Sequence, residues 1–167
     1  MTKAGVLTEG LFFGEGPRWR DGRLWFSDFY DHGVKSIDSN GVTRTELEID
    51  DQPSGLGWLP DGRLHRRRVL RVDPDGVHLH ADLADVASYH ANDMVVDAHG
   101  RAYVGNFGFP LDEALKTRGV EGVIADHPTA RLARVAADGS VHMAAMDLHF
   151  PNGMVITPDG RTLIVAE

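Results

Sequence analysis

The stretch Asn92–Arg101, which reads NDMVVDAHGR, decides the fold, because the chain repeats it 60 residues later as NGMVITPDGR at Asn152–Arg161. The stretch Ser54–Arg63 (SGLGWLPDGR) follows the same pattern, and Glu15–Arg23 (EGPRWRDGR) follows it with a turn that is one residue shorter. Each copy begins with a residue that carries a side-chain oxygen and ends in a Gly-Arg turn. Repetition of this kind predicts one structural unit that is used several times.

Each unit contains two hairpin signals. The first is the turn just described, and the second is an Asn-Gly or Asp-Gly pair further on, at Asn40-Gly41, Asp75-Gly76 and Asp138-Gly139. Such pairs between β-rich runs favour hairpins, because glycine takes a positive φ without steric cost. Two hairpins make four strands, and the first-turn glycines lie 40, 38 and 60 residues apart. We therefore predict an all-β chain of the β-propeller type, since a β-sandwich would not repeat a polar position.

The repeats divide the chain into a single partial propeller domain, 1–167. Residues 9–51 are predicted to form blade 1, 52–88 a shortened blade 2, 89–149 blade 3 and 150–167 the start of blade 4. In the second repeat only 14 residues separate the two turn glycines, against 19 in the first, so we expect a strand that is shortened or lost. The third repeat carries an insertion, 107–129, that is predicted to be a long loop with at most a turn or two of helix.

Composition excludes several classes of function. The net charge of −8 argues against a nucleic-acid partner, and the short basic run Arg66–Arg68 is interpreted as a solvated edge. No apolar run approaches the roughly 20 residues that cross a bilayer, and no signal peptide is recognised, so no membrane association and a cytoplasmic location are expected. The absence of cysteine excludes thiolate nucleophiles and Cys-based zinc sites.

The innermost strand of a propeller blade begins near the central channel. The leading residues of the four repeats should therefore form a ring around one axis, and these are Glu15, Ser54, Asn92 and Asn152. A carboxylate and amide carbonyls suit a hard divalent cation, Ca²⁺ before Zn²⁺. The alternative is that the asparagines cap turns and the glutamate is solvated. His78 and His80 alternate on one strand, which favours a partly exposed blade face over a metal site.

In the order and spacing of these motifs, the chain resembles the SMP-30/gluconolactonase/luciferin-regenerating-enzyme family of six-bladed propellers, from about residue 9 to 167. The motifs that carry the resemblance are Glu15-Gly16-Pro17 with Trp19, Asn92-Asp93-Met94 with Gly100-Arg101, and Pro151–Met154 with Pro158–Arg161. The resemblance implies an incomplete arc of three to four of the six blades. It also implies a lactone hydrolase of the sugar-lactone type, with one divalent cation in the central channel.

The resemblance further implies roles for individual residues. Glu15 and Asn152 match metal ligands, Asn92 matches a substrate contact, and His90 stands where some members have a substrate-binding arginine. Ser54 is expected to be silent, in a damaged blade. The third ligand of the family, an Asp that also transfers protons, is expected beyond residue 167, so a truncated enzyme with little or no activity is anticipated. The alternative is a non-catalytic propeller fragment that binds a ligand or protein and self-associates through exposed blade edges.

Overall fold

The computed structural model describes residues 5–50, 52–57, 62–65 and 67–167, with 62–65 as backbone only. The first sheet contains β1 (Gly14–Arg20), β2 (Arg23–Asp28), β3 (Gly33–Asp38) and β4 (Thr43–Glu48). The second contains β5 (Pro53–Gly57), β6 (Gly62–His65), β7 (Arg68–Asp73) and β8 (Gly76–Asp82). The third contains β9 (Ala91–Val96), β10 (Ala102–Asn106), β11 (Ala130–Val135) and β12 (Val141–Leu148). The strands β13 (Met154–Ile156) and β14 (Leu163–Val165) form a final pair.

Every sheet is an antiparallel meander in which consecutive strands are neighbours. The first strands of successive sheets also contact one another, β1 with β5, β5 with β9 and β9 with β13. Four-stranded meanders whose first strands gather in this way are the blades of a propeller. The all-β prediction of an incomplete propeller arc is therefore confirmed.

The glycine turns form where the sequence predicts them. A positive φ is found at Gly22, Gly41, Gly76, Gly100, Gly139 and Gly160. Main-chain bonds close these hairpins, for example from the amide of Gly100 to the carbonyl of Asp97 at 3.0 Å. The predicted turn at Pro60-Asp61 and the side chain of Arg66 lie outside the described residues.

The expectation for the second repeat was a strand that is shortened or lost; the second sheet keeps all four strands, and β6 is the short one, with four residues where β2 has six. The expectation for the third repeat needs correction, because the insertion 107–129 is mostly helical rather than a loop: Leu111–Ala125 forms the helix α1. Good helix formers follow Pro110, and Asp112 and Glu113 favour the positive end of the helix dipole. Gly119, at φ 68 and ψ 174, interrupts the helix.

The main apolar core lies between the second and third sheets. It consists mostly of alanines and β-branched residues, with Val69, Met94 and Val135 fully buried at 0% exposure. Burying one valine or methionine side chain stabilises the fold by about 1.5–3 kcal/mol. This core fixes β9, the strand that carries Asn92, against its neighbours. Among the described residues, no helix has the length and apolar character that a bilayer-spanning segment requires.

The third sheet meets the final hairpin at a glycine. A Cβ atom on Gly105 of β10 would lie 2.6 Å from the carbonyl oxygen of Pro151, closer than any real contact allows. The backbone of β10 therefore packs directly on the residue that precedes Asn152. In this way a single glycine sets the position of a predicted site residue.

We expect Gly105→Ala to lower the free energy of unfolding by about 1–3 kcal/mol, because the Pro151 segment must move away. Urea denaturation measures this change. Gly33→Ala is the matched control, since Gly33 is also a buried strand glycine but its Cβ would meet its nearest atom at 3.6 Å. Equal unfolding midpoints for the two variants would contradict the assigned contact.

Candidate functional site

The residues that the sequence singles out lie around one cavity of about 280 Å³. Its lining includes Glu15, Ser54, His90, Asn92 and Asn152. They come from the first strands of three sheets and from the segments that precede β9 and β13. The convergence on one axis that the repeat predicts is therefore present in the structure.

A β-bulge marks each of the three complete inner strands near its polar residue. The pairing register shifts between Glu15 and Arg18 in β1 and between Pro53 and Leu56 in β5. A third shift falls between Ala91 and Met94 in β9, so Ser54 and Asn92 lie within their bulges. A bulge bends the strand and redirects its side chains. The bulges thus direct side chains of inner strands toward the shared cavity.

Gly16 allows the first two inner strands to approach closely. Its φ is 56°, and an added Cβ would lie 3.0 Å from the carbonyl oxygen of Ser54 and 3.1 Å from the Cα of Gly55. Glycine is the one residue that meets both demands without strain. The hydroxyl of Ser27 donates to the same Ser54 carbonyl at 2.6 Å. These contacts hold Glu15 beside β5.

The carboxylate of Glu15 is half-buried, and within the described parts of the chain it makes no hydrogen bond or ion pair. Burial, and next the nearby carboxylate of Asp93, raise its pKa. A partly desolvated carboxylate without a partner is unfavourable, and a cation relieves this cost. Together with the oxygens of Ser54 and Asn152, it gives an oxygen donor set that suits a hard divalent cation.

Asn92 is buried, at 3% exposure, and its amide is oriented from both ends. Its Nδ2 donates to the Pro151 carbonyl at 3.4 Å, and its Oδ1 accepts from the Ser54 hydroxyl at 3.4 Å. Because an amide has two N–H donors, one remains for a ligand. Ser54, which was expected to be silent, therefore lines the cavity and orients Asn92. The shortening of the second blade does not reach β5, the strand that carries Ser54.

An ion pair joins the first sheet to the third. The Nη2 atom of Arg18 lies 2.8 Å from Oδ1 of Asp93, and Arg18 also donates to the carbonyl of Met94. Asp93 is 5% exposed; its burial raises its pKa, even though Arg18 acts in the opposite direction. Neither role was predicted, since nothing in one sequence indicates a pairing between residues 75 positions apart.

Aromatic rings and the helix α1 complete the cavity. His90 stacks on Tyr89, with ring centroids 4.2 Å apart, and Phe107 stacks on Phe150 at 4.9 Å. Asp112, in the first turn of α1, brings a second carboxylate to the lining. Asp112 was not predicted at the site because the insertion was expected to be a loop.

A cluster outside the cavity also has the composition of a metal site. Asp73, Asp75 and His78 bring their potential ligand atoms within 4.8 Å of one another on the β7–β8 hairpin. The cluster is largely exposed, and Arg71 already pairs with Asp73 at 2.7 Å. Its negative charge is therefore already partly compensated by Arg71.

We expect Asp93→Asn to lower the pKa of Glu15, because a nearby negative charge is removed; the pKa should stay above its usual value, since burial remains. Carbon-13 NMR titration of the Glu15 carboxyl measures this shift. Asp138→Asn, at an exposed hairpin, is the charge-matched control and should leave the titration unchanged. An unshifted Glu15 curve in Asp93→Asn would remove Asp93 from the electrostatics of the site.

Comparisons place the chain among known proteins. A family model described as the SMP-30/gluconolactonase/LRE-like region matches residues 13–167. By sequence, no curated protein matches the chain.

Similar solved structures include a calcium-binding protein, regucalcin, from Agrobacterium tumefaciens (20% identity, 96% of this chain and 52% of that one, TM-score 0.68). A second is a gluconolactonase from Xanthomonas campestris, with 24% identity over 92% of this chain and 54% of that one and a TM-score of 0.66. A third is a luciferin-regenerating enzyme, with 18% identity over 92% of this chain and 52% of that one and a TM-score of 0.67. These likenesses show a shared fold, and the chain spans about half the length of each. Because the family model covers nearly the whole chain, the chain belongs to the SMP-30/gluconolactonase/LRE-like family.

Proposed function

We propose that this chain supplies the metal-holding and substrate-orienting part of a lactone hydrolase site. The observation that carries the proposal is the half-buried carboxylate of Glu15, which makes no hydrogen bond or ion pair with the described residues and shares one cavity with Asn92 and Asn152. The known neighbours support it, since one is a gluconolactonase and another a calcium-binding protein. The proposed cation is divalent, Ca²⁺ before Zn²⁺, because the donors are oxygens.

Glu15 and Asn152 would hold the cation, Glu15 through its carboxylate and Asn152 through its amide carbonyl. When bound, a divalent cation supplies polarisation of a carbonyl and acidification of water. Asn92 would place its remaining N–H near the lactone carbonyl oxygen, where negative charge develops during attack. Ser54 and Pro151 fix the direction of that N–H in advance.

Proton transfer needs a further acid or base beside the lactone. A positioned carboxylate would contribute about 10²- to 10⁴-fold in rate. We assign this role to a part of the family propeller that the 167 residues do not span, because the chain corresponds to about half of its solved relatives. The isolated chain is accordingly proposed to bind the cation and to hydrolyse lactones weakly or not at all.

Calcium binding tests the proposal. We expect Glu15→Gln to weaken Ca²⁺ binding by at least the roughly 10- to 100-fold that loss of an outer-shell partner costs. Because the pKa of Glu15 is raised, protons compete at higher pH than for an ordinary carboxyl. The affinity should therefore fall as the pH falls through that pKa, and Glu15→Gln should lose this dependence. Isothermal titration calorimetry over a pH series measures both effects.

Asp75→Asn is the control, since it disables the exposed Asp73–Asp75–His78 cluster and leaves the cavity intact. We expect it to keep the high-affinity site. If instead Asp75→Asn abolishes Ca²⁺ binding and Glu15→Gln does not, the cation belongs to the hairpin and the proposed site is wrong. A chelator-sensitive, rapid hydrolysis of lactones by the isolated chain would contradict the assignment of proton transfer.

A second candidate function is a non-catalytic module that associates with another copy of this chain. One observation favours it: Val6, Leu7 and Leu11 are 78%, 47% and 38% exposed beside an apolar cavity of about 350 Å³ that also contacts Leu24 and Phe26. Exposed apolar clusters of this kind mark interaction surfaces.

Light scattering after size exclusion tests self-association. If the apolar surface joins two copies, we expect a dimer that Leu7→Glu converts to a monomer, because a buried carboxylate opposes association. Val120→Glu, on the exposed face of α1, introduces the same charge elsewhere and should keep the dimer. A monomeric mass for the unaltered chain would exclude this candidate.

A further inference from the structure

The cavity is walled by aromatic rings to an extent that metal binding does not require. Six of its lining residues are phenylalanine or tyrosine: Phe13, Phe29, Tyr30, Tyr89, Phe107 and Phe150. Among the described residues that line it, none is lysine or arginine. The other lining residues are Leu111 and seven polar residues, and Glu15, Ser54, Asn92 and Asn152 among these already have an assigned role. The six rings therefore offer a surface for a flat apolar group beside these polar side chains.

The rings form two groups, one from the first blade and one from the third and fourth repeats. Phe13, Phe29 and Tyr30 of the first blade pack edge to face, with centroids 5.0 to 6.1 Å apart. Phe107 and Phe150 of the third and fourth repeats stack with an interplanar angle of 15°. Although they line a concave site, Phe13 and Tyr30 remain 50% and 51% exposed. Exposed rings in a cavity bury apolar area when a ligand covers them.

Buried polar contacts hold the first group in place. Asp28 is fully buried, and its Oδ1 accepts hydrogen bonds from the backbone amides of Phe12 and Phe13 at 3.0 and 2.8 Å. Its Oδ2 accepts from Nζ of Lys35 at 2.7 Å. Burial alone would raise the pKa of Asp28, but the hydrogen bonds from Lys35 and these amides outweigh it and the pKa is lowered. Asp28 thus stays charged and anchors Phe13.

The backbone of Phe150 is strained where it brings its ring to the cavity. Its φ is 58°, in the left-handed region that a bulky residue rarely adopts and that costs about 1–3 kcal/mol. Packing against Phe107, and edge to face against Phe109 with centroids 6.3 Å apart, accompanies this conformation. Strain of this kind persists when the surrounding structure favours one side-chain position, and it is concentrated at ligand-binding sites.

We propose that the cavity selects lactones that carry a flat apolar ring over polyhydroxylated lactones. This inference rests on the proposed function, because it takes the lactone carbonyl to lie at Glu15, Asn92 and Asn152. A sugar lactone would place some of its hydroxyl groups against phenylalanine rings, where they lose water without gaining hydrogen bonds. An aromatic ring would instead bury apolar area and stack. The volume, about 280 Å³, fits a ligand of one or two rings.

Three γ-lactones test the selectivity with one reactive group held constant: phthalide, which has a fused benzene ring, γ-butyrolactone, which has no substituent, and ribono-γ-lactone, which has hydroxyl groups. Their dissociation constants are measured by ligand-observed NMR with the purified chain and saturating Ca²⁺. We expect phthalide to bind at least about tenfold more tightly than the other two lactones. One aromatic contact, together with the apolar area that the benzene ring buries, would supply that difference in binding free energy.

Two variants of Phe150 separate the ring from its backbone. Phe150→Gly removes the ring and relieves the positive φ, and thermal denaturation checks that the variant stays folded. Phe150→Leu keeps the apolar bulk and the strain. Both should lose most of the preference for phthalide, about tenfold, with ribono-γ-lactone unchanged. Phe12→Ala is the control: Phe12 is 69% exposed and does not line the cavity.

The inference is overturned if ribono-γ-lactone binds as tightly as phthalide, or if both Phe150 variants keep the phthalide affinity. These failures are distinct from failure of the proposed function. Ca²⁺ binding that depends on Glu15, together with a preference for ribono-γ-lactone, would retain the function and reject the ring selectivity. Phthalide binding that depends on Phe150, without any Ca²⁺ site at Glu15, would do the reverse.

Discussion

The close approach of the bulged inner strands is the constraint on which the rest of this structure depends. Gly16 brings the backbone of β1 within about 3 Å of β5, measured from the position a Cβ would take, and Gly105 does the same between β10 and Pro151. Strands at this separation leave no room for side chains between them. The side chains at the bulges are therefore directed to the shared axis. The polar residues that begin each repeat become neighbours there.

This arrangement has an electrostatic cost. Glu15 and Asp93 are two carboxyl groups in one partly desolvated region, and burial raises the pKa of each. Arg18 compensates Asp93 directly and ties the first sheet to the third, but no described residue pairs with Glu15. An uncompensated carboxylate is tolerated where a ligand supplies the missing charge. The same contacts that stabilise the arc thus leave one negative charge for a cation to neutralise.

The repeat was sufficient to predict the four-stranded units, the glycine turns and the gathering of Glu15, Ser54, Asn92 and Asn152 around one cavity, because hairpin chemistry and strand phase are local properties. The Arg18–Asp93 pair was beyond prediction, since it joins residues from different blades. The helix α1 was missed because Gly119 and Gly122 outweighed the helix formers before them. The bulges, which changed the role of Ser54, depend on cross-strand register and leave no mark in one sequence.

The cavity has two kinds of lining, oxygen donors and aromatic rings, and the two come from different parts of the fold. Oxygen donors come from the inner strands and the Pro151–Asn152 segment, where bulges and glycine contacts leave little freedom, so their geometry is tied to the fold itself. Most of the rings come from the segments around these strands, such as Phe29, Tyr89, Phe107 and Phe150, which can change without disturbing the sheets. If the cavity holds the proposed cation, a fold that fixes the oxygen donors and leaves the walls to its connections can keep one chemistry while it changes the ligand it accepts.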